Sequence, residues 1–124
     1  MFPRSAAAVS FAMPGGEGSA APRARPVDLA HLAKQTLGDR TLEHEVLQLF
    51  VLQALSARDQ FALAERNERL RLAHNLKGSA RGVGAFAIAD CVAEIETRPD
   101  DKTLMKRLSM LIDEVRDFIA AINR

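Results

Sequence analysis

The stretch TLMKRLSMLIDEVRDFIAAI at residues 103–122 has the most regular hydrophobic pattern in the chain. Its large apolar residues recur at alternating steps of four and three, at Leu104, Leu108, Leu111, Val115, Phe118 and Ile122. Such steps place the residues on one face of an α-helix and are typical of the seam of a helical bundle. The alternation expected of a β-strand is missing throughout the chain. The stretch therefore predicts a helix packed along its length against other helices.

Four further segments carry helical periodicity, at residues 26–38, 39–65, 67–83 and 85–98. Their expected ends are marked by Asp28 and Gly38 in the first segment and by Asn67, Gly82 and Gly84 in the third. Pro99 and Asp100 are expected to end the fourth segment and to begin the last helix. Residues 1–25, rich in Ala, Gly, Ser and Pro, are interpreted as a flexible tail. Short connections between the long helices predict an all-α fold over residues 26–124, an antiparallel four-helix bundle with a short additional N-terminal helix.

The composition excludes several classes of protein. A net charge of +1 over 124 residues provides no overall field to recruit nucleic acid or anionic lipid. The single cysteine, Cys91, cannot form an intramolecular disulfide, fits a reducing compartment and indicates a cytoplasmic protein. No apolar run approaches the length of a membrane span, and the short apolar stretch near the N-terminus is too weak for a signal peptide.

The stretch AHNLKGSARGVG at residues 73–84 places a histidine in unusual surroundings. On a helical wheel, His74, Lys77, Gly78 and Arg81 share the face opposite the apolar one, because they are spaced by three, four and seven residues. Glycine costs a helix interior about 1 kcal/mol relative to alanine, and nothing in the core requires it on an outer face. We therefore expect an exposed imidazole beside two cations.

This arrangement suits phosphoryl chemistry. A neutral imidazole nitrogen is a good nucleophile near physiological pH. If it attacks a phosphoryl group, Lys77 and Arg81 are spaced to lie on either side of that group and to hydrogen-bond its oxygens. Phosphoryl transfer depends mostly on positioning and charge stabilisation, so the chain needs to supply little else. His31 and His44 lack a neighbouring glycine or pair of cations and are interpreted as ordinary surface or core residues.

The same stretch resembles the signature of histidine-containing phosphotransfer (HPt) domains, which reads His-x-Leu-Lys-Gly-Ser-Ala with a further glycine ten residues after the histidine. The matching positions are His74, Leu76, Lys77, Gly78, Ser79, Ala80 and Gly84. The resemblance implies that His74 accepts a phosphoryl group from the aspartyl phosphate of a response-regulator receiver domain and passes it to another receiver. It also implies that Lys77 neutralises the phosphoryl group and that Gly78 allows close approach, whereas Arg81 occupies a variable position.

The resemblance further implies the partners, which are receiver domains and a hybrid sensor histidine kinase. The receiver brings Mg²⁺ in its own acidic pocket, so we expect no metal or cofactor on this chain. The sequence has no Gly-rich ATP-lid motif, which predicts a phosphoryl carrier without autokinase activity. The self-contained seam favours a monomer. The wide apolar stripe of the second segment predicts an exposed patch for the partner beside His74, formed by Leu47, Val51 and Leu55.

Two alternatives remain open at this point. The chain could be an adaptor bundle that binds receivers without accepting phosphoryl groups, although the intact His, Lys and Gly argue against it. It could instead bind nucleic acid through a basic cluster, which comprises Arg66, Arg69, Arg71, Lys77 and Arg81. No aromatic residue interleaves this cluster for base stacking, so a solvated charged face is the preferred interpretation. Cys91 lies in register with Ile88 and Ile95 and is expected to pack in the core.

Overall fold

The structure, a computed structural model, describes residues 25–123. This part of the chain forms five α-helices and no strand: α1 (Leu29–Gln35), α2 (Arg40–Leu63), α3 (Arg66–Val83), α4 (Phe86–Thr97) and α5 (Lys102–Ile122). The predicted all-α fold is therefore confirmed. The tail predicted for residues 1–25 lies, except for Arg25, outside the described residues, and the domain start at residue 26 stays a prediction.

The four longer helices form a closed bundle in which each helix packs against the next and α5 packs back against α2. Short connections force neighbouring helices to run antiparallel. The short α1 lies against α2 and α3 at one end of the bundle. The core consists of small and aliphatic side chains with two phenylalanines, and its fully buried large members are Leu32, Leu76, Ile88, Ile95, Leu108, Ile112 and Ile119.

Aspartates begin three of the helices, because their carboxylates satisfy backbone N–H groups that have no partner within the helix. Asp28 accepts from the backbone N–H of His31 at 3.0 Å at the start of α1, as the sequence predicts. Asp39 caps α2 in the same way. At the start of α5 the cap is Asp101 rather than the expected Asp100.

Asp100 instead pairs with the first turn of α3, where a second predicted cap is also wrong. Its carboxylate pairs with Arg66 at 3.1 Å and with Arg69 at 3.3 Å. α3 begins at Arg66, so Asn67 lies within the helix and is not its N-cap. The cap position is Glu65, whose side chain makes no capping hydrogen bond.

Gly84 ends α3, whereas Gly82, which was also expected to break the helix, remains helical. Gly84 has a φ of 91°, in the left-handed region that favours glycine. Its carbonyl accepts the Asp28 backbone N–H at 2.9 Å, and a Cβ here would lie 2.8 Å from the Asp28 carbonyl oxygen. Glycine is therefore needed both for the turn and for the close approach of the chain segment that leads into α1.

The seam of α5 differs in register from the sequence prediction. Its buried residues are Leu104, Leu108, Ile112, Val115 and Ile119. Leu111 and Phe118 are only half-buried, and Ile122 is 42% exposed. The sequence has apolar residues on both adjacent rows, at Leu111–Ile112 and Phe118–Ile119, and the rotation of α5 against α2 and α4 selects the second row. Helical periodicity identifies the face of the helix but not which of two adjacent apolar rows is central.

The register can be tested by comparing alanine substitutions at adjacent positions. We expect Ile112→Ala to lower the free energy of unfolding by about 2–5 kcal/mol, because it removes a fully buried side chain and leaves a cavity. Leu111→Ala should cost clearly less, since Leu111 already contacts solvent. Urea denaturation of both variants measures the difference. Equal losses, or a greater loss for Leu111→Ala, would support the register that the sequence predicted.

Candidate functional site

His74 lies in the middle of α3, with its side chain on the outer surface of the bundle. The side chain is 72% exposed, whereas Ala73 and Leu76, which flank it on the other face of α3, are fully buried. The amphipathic pattern of α3 produces this separation, since the apolar residues face α2 and α4 and the polar face remains outside. A nucleophilic imidazole in this position is accessible to a macromolecular partner.

No side chain covers the surface of α3 one helical turn from His74. Gly78 lies there within α3, and a Cβ built on it meets no atom within 4 Å. No packing contact inside the bundle therefore requires a glycine, which lowers helix stability by about 1 kcal/mol relative to alanine. A glycine at this position is consistent with a requirement from outside the bundle, such as the close approach of another protein.

Lys77 lies beside His74, but its ammonium is engaged by Glu96 of α4. Lys77 Nζ donates a hydrogen bond to Glu96 Oε1, and the two side chains are only 21% and 23% exposed. The other carboxylate oxygen, Oε2, lies 3.4 Å from His74 Nδ1. The Lys77 ammonium holds the pKa of Glu96 below its usual range, with a smaller contribution from His74. Glu96 is therefore an ionised carboxylate that bridges the two residues.

Arg81, the fourth predicted site residue, is exposed on the same side of α3 and makes no ion pair with the part of the chain that the structure describes. The other cations of α3 are engaged: Arg66 and Arg69 pair with Asp100, and Arg71 pairs with Glu68. The basic cluster is thus largely neutralised by its own carboxylates, which supports its interpretation as a solvated charged face.

The predicted apolar patch on α2 is partly wrong. Leu47 is buried, with 2% of its surface exposed, and Val51 and Leu55 are half-buried against the core. The most exposed large apolar residues in the middle of α2 are instead Leu49 and Leu52, at 67% and 65%. The difference lies in the rotation of α2 about its own axis. Apolar residues cover more than half of the circumference of α2, and the packing of α3 and α5 against it decides which row of them remains exposed.

Glu96 is the site residue that sequence reasoning missed. It is separated from Lys77 by 19 residues and from His74 by 22 residues, on a different helix. Its position next to buried Ile95, at the edge of the apolar stripe of α4, is the only local signal. That signal does not identify a partner, because the pairing depends on how α3 and α4 pack.

Cys91 is buried in the core, as predicted, with Sγ 3.6 Å from the Leu104 carbonyl oxygen. Burial raises the pKa of its thiol. Among the described helices, none combines the length and hydropathy needed to cross a membrane.

The structure therefore brings together an exposed histidine, a lysine and an uncovered glycine on the outer face of a helical bundle. The sequence profile of the Hpt domain matches residues 45–118, more than half of the chain, and includes α3 and α4. The chain therefore belongs to the Hpt domain family, whose members serve phosphotransfer in phosphorelays. No curated protein and no solved structure gave a significant match.

Proposed function

We propose that this protein is a phosphorelay intermediate that accepts a phosphoryl group on His74 from the aspartyl phosphate of a response-regulator receiver and passes it to another receiver. The observation that carries the proposal is the exposed imidazole of His74 next to the open surface over Gly78. In the transfer, a ring nitrogen of His74 attacks phosphorus and the bond from phosphorus to the aspartate oxygen breaks. The reverse displacement on a second receiver regenerates the imidazole.

The partner supplies the other groups that the transfer requires. A receiver supplies the aspartate and the Mg²⁺ that neutralises charge on the phosphoryl oxygens. This chain supplies the nucleophile, the cation Lys77 and a surface without obstruction at Gly78. A hybrid sensor histidine kinase is the expected source of the phosphorylated receiver. We place the relay in the cytoplasm, where such receivers lie.

The experiment that tests this function is transfer from a receiver domain that carries a radiolabelled aspartyl phosphate, in the presence of Mg²⁺. Movement of the label to this chain, in a form that is labile in acid and stable in base, supports a phosphorelay carrier. Binding of receivers without movement of the label supports the adaptor alternative. Absence of both binding and transfer across a panel of receivers overturns the proposal.

The role of Lys77 can be tested by Lys77→Ala. We expect the rate of transfer to His74 to fall roughly 10-fold to 100-fold, because the phosphoryl oxygens lose a charge-assisted hydrogen bond, which contributes about 1.5–3 kcal/mol. The measurement is the time course of label transfer from the receiver. Lys106→Ala, on the exposed face of α5, is the matched control and should leave the rate unchanged. A normal rate in Lys77→Ala would remove the assigned role.

A further inference from the structure

Arg81 lies on the same line of the α3 surface as His74, two helical turns nearer the C-terminus. Their spacing of seven residues corresponds to about 10.5 Å along the helix axis and falls about 20° short of two full turns. Between them on this face, Gly78 has no side chain, and the ammonium of Lys77 is held by Glu96 on α4. The guanidinium of Arg81 is therefore an exposed charge on the line that leads from the histidine.

The charge of Arg81 is not neutralised within the part of the chain that the structure describes. Every other lysine and arginine of α3 pairs with a carboxylate, whereas Arg81 makes neither an ion pair nor a side-chain hydrogen bond there. The acidic residues of the neighbouring α4 do not supply a partner. Glu96 holds Lys77, Glu94 pairs with two arginines, and Asp90 is exposed without an ion pair among residues 25–123.

A partner that docks over His74 also covers Arg81. A stable interface buries about 800 Å² on each protein, which corresponds to a disc of about 16 Å radius. At about 10.5 Å from His74 along α3, Arg81 lies inside such an interface when the histidine is at its centre. Gly78 and Gly82 flank it in the helix, and a Cβ built on either glycine meets no atom within 4 Å. No side chain at these two positions holds a partner away from the guanidinium.

A guanidinium that is covered by a partner loses its hydration, which is unfavourable unless an anionic group replaces the water. Since no carboxylate of the described chain pairs with Arg81, the partner must provide that group. We propose that Arg81 is a specificity-determining residue that selects receivers with an acidic side chain about 10 Å from the phosphorylated aspartate. This inference rests on the proposed function and adds a requirement on the partner's surface outside its reacting centre.

Arg81 acts on the choice of receiver because its contact lies away from the reacting atoms. A receiver with aspartate or glutamate at the facing position gains a charge-assisted hydrogen bond, and one with lysine or arginine there meets a like charge. Discrimination between receivers arises from the difference between these two cases. The contact is made before and after transfer alike, so it changes the concentration of receiver that is needed and not the rate at saturation.

The test uses the receiver domain that transfers fastest to the wild-type protein among a panel of purified receivers. In Arg81→Glu we expect the half-saturating receiver concentration to rise about tenfold, with the maximal rate unchanged within about twofold. Arg81→Lys keeps the charge and should stay close to the wild type. Lys106→Glu, on the exposed face of α5, is the matched control for a charge reversal and should change neither quantity. Raising the salt from about 0.05 M to about 0.5 M should narrow the difference, because salt screens exposed charges.

Charge reversal on the receiver identifies the facing residue. Acidic residues about 10 Å from the receiver's phosphorylated aspartate are changed to lysine one at a time. We expect one of these changes to impair transfer to the wild-type protein and to restore transfer to Arg81→Glu. The coupling in this double-mutant cycle separates a direct contact from a general effect of charge.

A small phosphoramidate donor, which makes no protein contact, distinguishes this role from direct binding of the phosphoryl group. We expect Arg81→Ala to react with it at the wild-type rate. Slower reaction of Arg81→Ala with both donors would assign Arg81 to the phosphoryl group and overturn the role in specificity. Thermal denaturation checks that the variants remain folded.

The two proposals fail in different ways. Identical dependence on receiver concentration in Arg81→Glu and the wild type would overturn the role of Arg81 and leave the relay function intact. Receivers that bind the wild type without transfer would overturn the relay function, and the role of Arg81 would then be measured as a weaker dissociation constant in Arg81→Glu. Absence of binding to every receiver would overturn both.

Discussion

His74→Gln is expected to abolish phosphoryl acceptance and to leave the fold intact. Glutamine has a similar reach but no nucleophilic ring nitrogen, so label transfer from a phosphorylated receiver should fall to background. The side chain of His74 is 72% exposed, and its one polar contact within the described residues is the long approach to Glu96. The free energy of unfolding should therefore change by no more than about 0.5 kcal/mol.

The matched control for this variant is His44→Gln. His44 is exposed on α2, and its loss should affect neither transfer nor stability. Label transfer and thermal denaturation on the same preparations separate loss of the nucleophile from loss of the fold. Transfer that persists in His74→Gln would assign the phosphoryl group to another residue, and a collapsed variant would contradict the surface position of His74.

Gly78→Leu is the second variant with a large expected effect. A leucine one turn from His74 would project into the open surface where a receiver must approach the ring. A displacement of about 1 Å at a reacting centre costs roughly 100-fold in rate, and we expect a loss of at least that size in transfer from a receiver. Stability should rise by about 0.5–1 kcal/mol, because leucine is a better helix former and nothing obstructs its Cβ.

The two expected effects of Gly78→Leu, slower transfer and higher stability, have opposite signs, so general damage to the protein would not produce both. A small phosphoramidate donor does not require protein docking and should still phosphorylate His74 in this variant. Loss of reaction with both donors would point to a damaged histidine rather than to an obstructed surface. Normal transfer from a receiver would show that Gly78 is not required for docking.

Local sequence features predicted much of the fold correctly. The aspartate cap at Asp28, the helix end at Gly84 and the helical periodicity each depend on a few neighbouring residues. The errors occur where two residues compete within one segment. Leu111 and Ile112 both suit the α5 seam, and Asp100 and Asp101 both suit its N-cap. In these cases packing against another helix decides, and local preference is similar for both residues.

The residues of the candidate site also fall into those that local sequence predicts and those that packing between helices decides. His74, Lys77 and Gly78 share a face because one helix imposes a fixed repeat, so the sequence by itself determined an exposed histidine beside a cation and a bare surface. Only the tertiary structure decided that Glu96 bridges His74 and Lys77, that Arg66 and Arg69 are held by Asp100, and that Leu47 is buried. Contacts between helices depend on their relative rotation and register, which arise from the packing of all four long helices together.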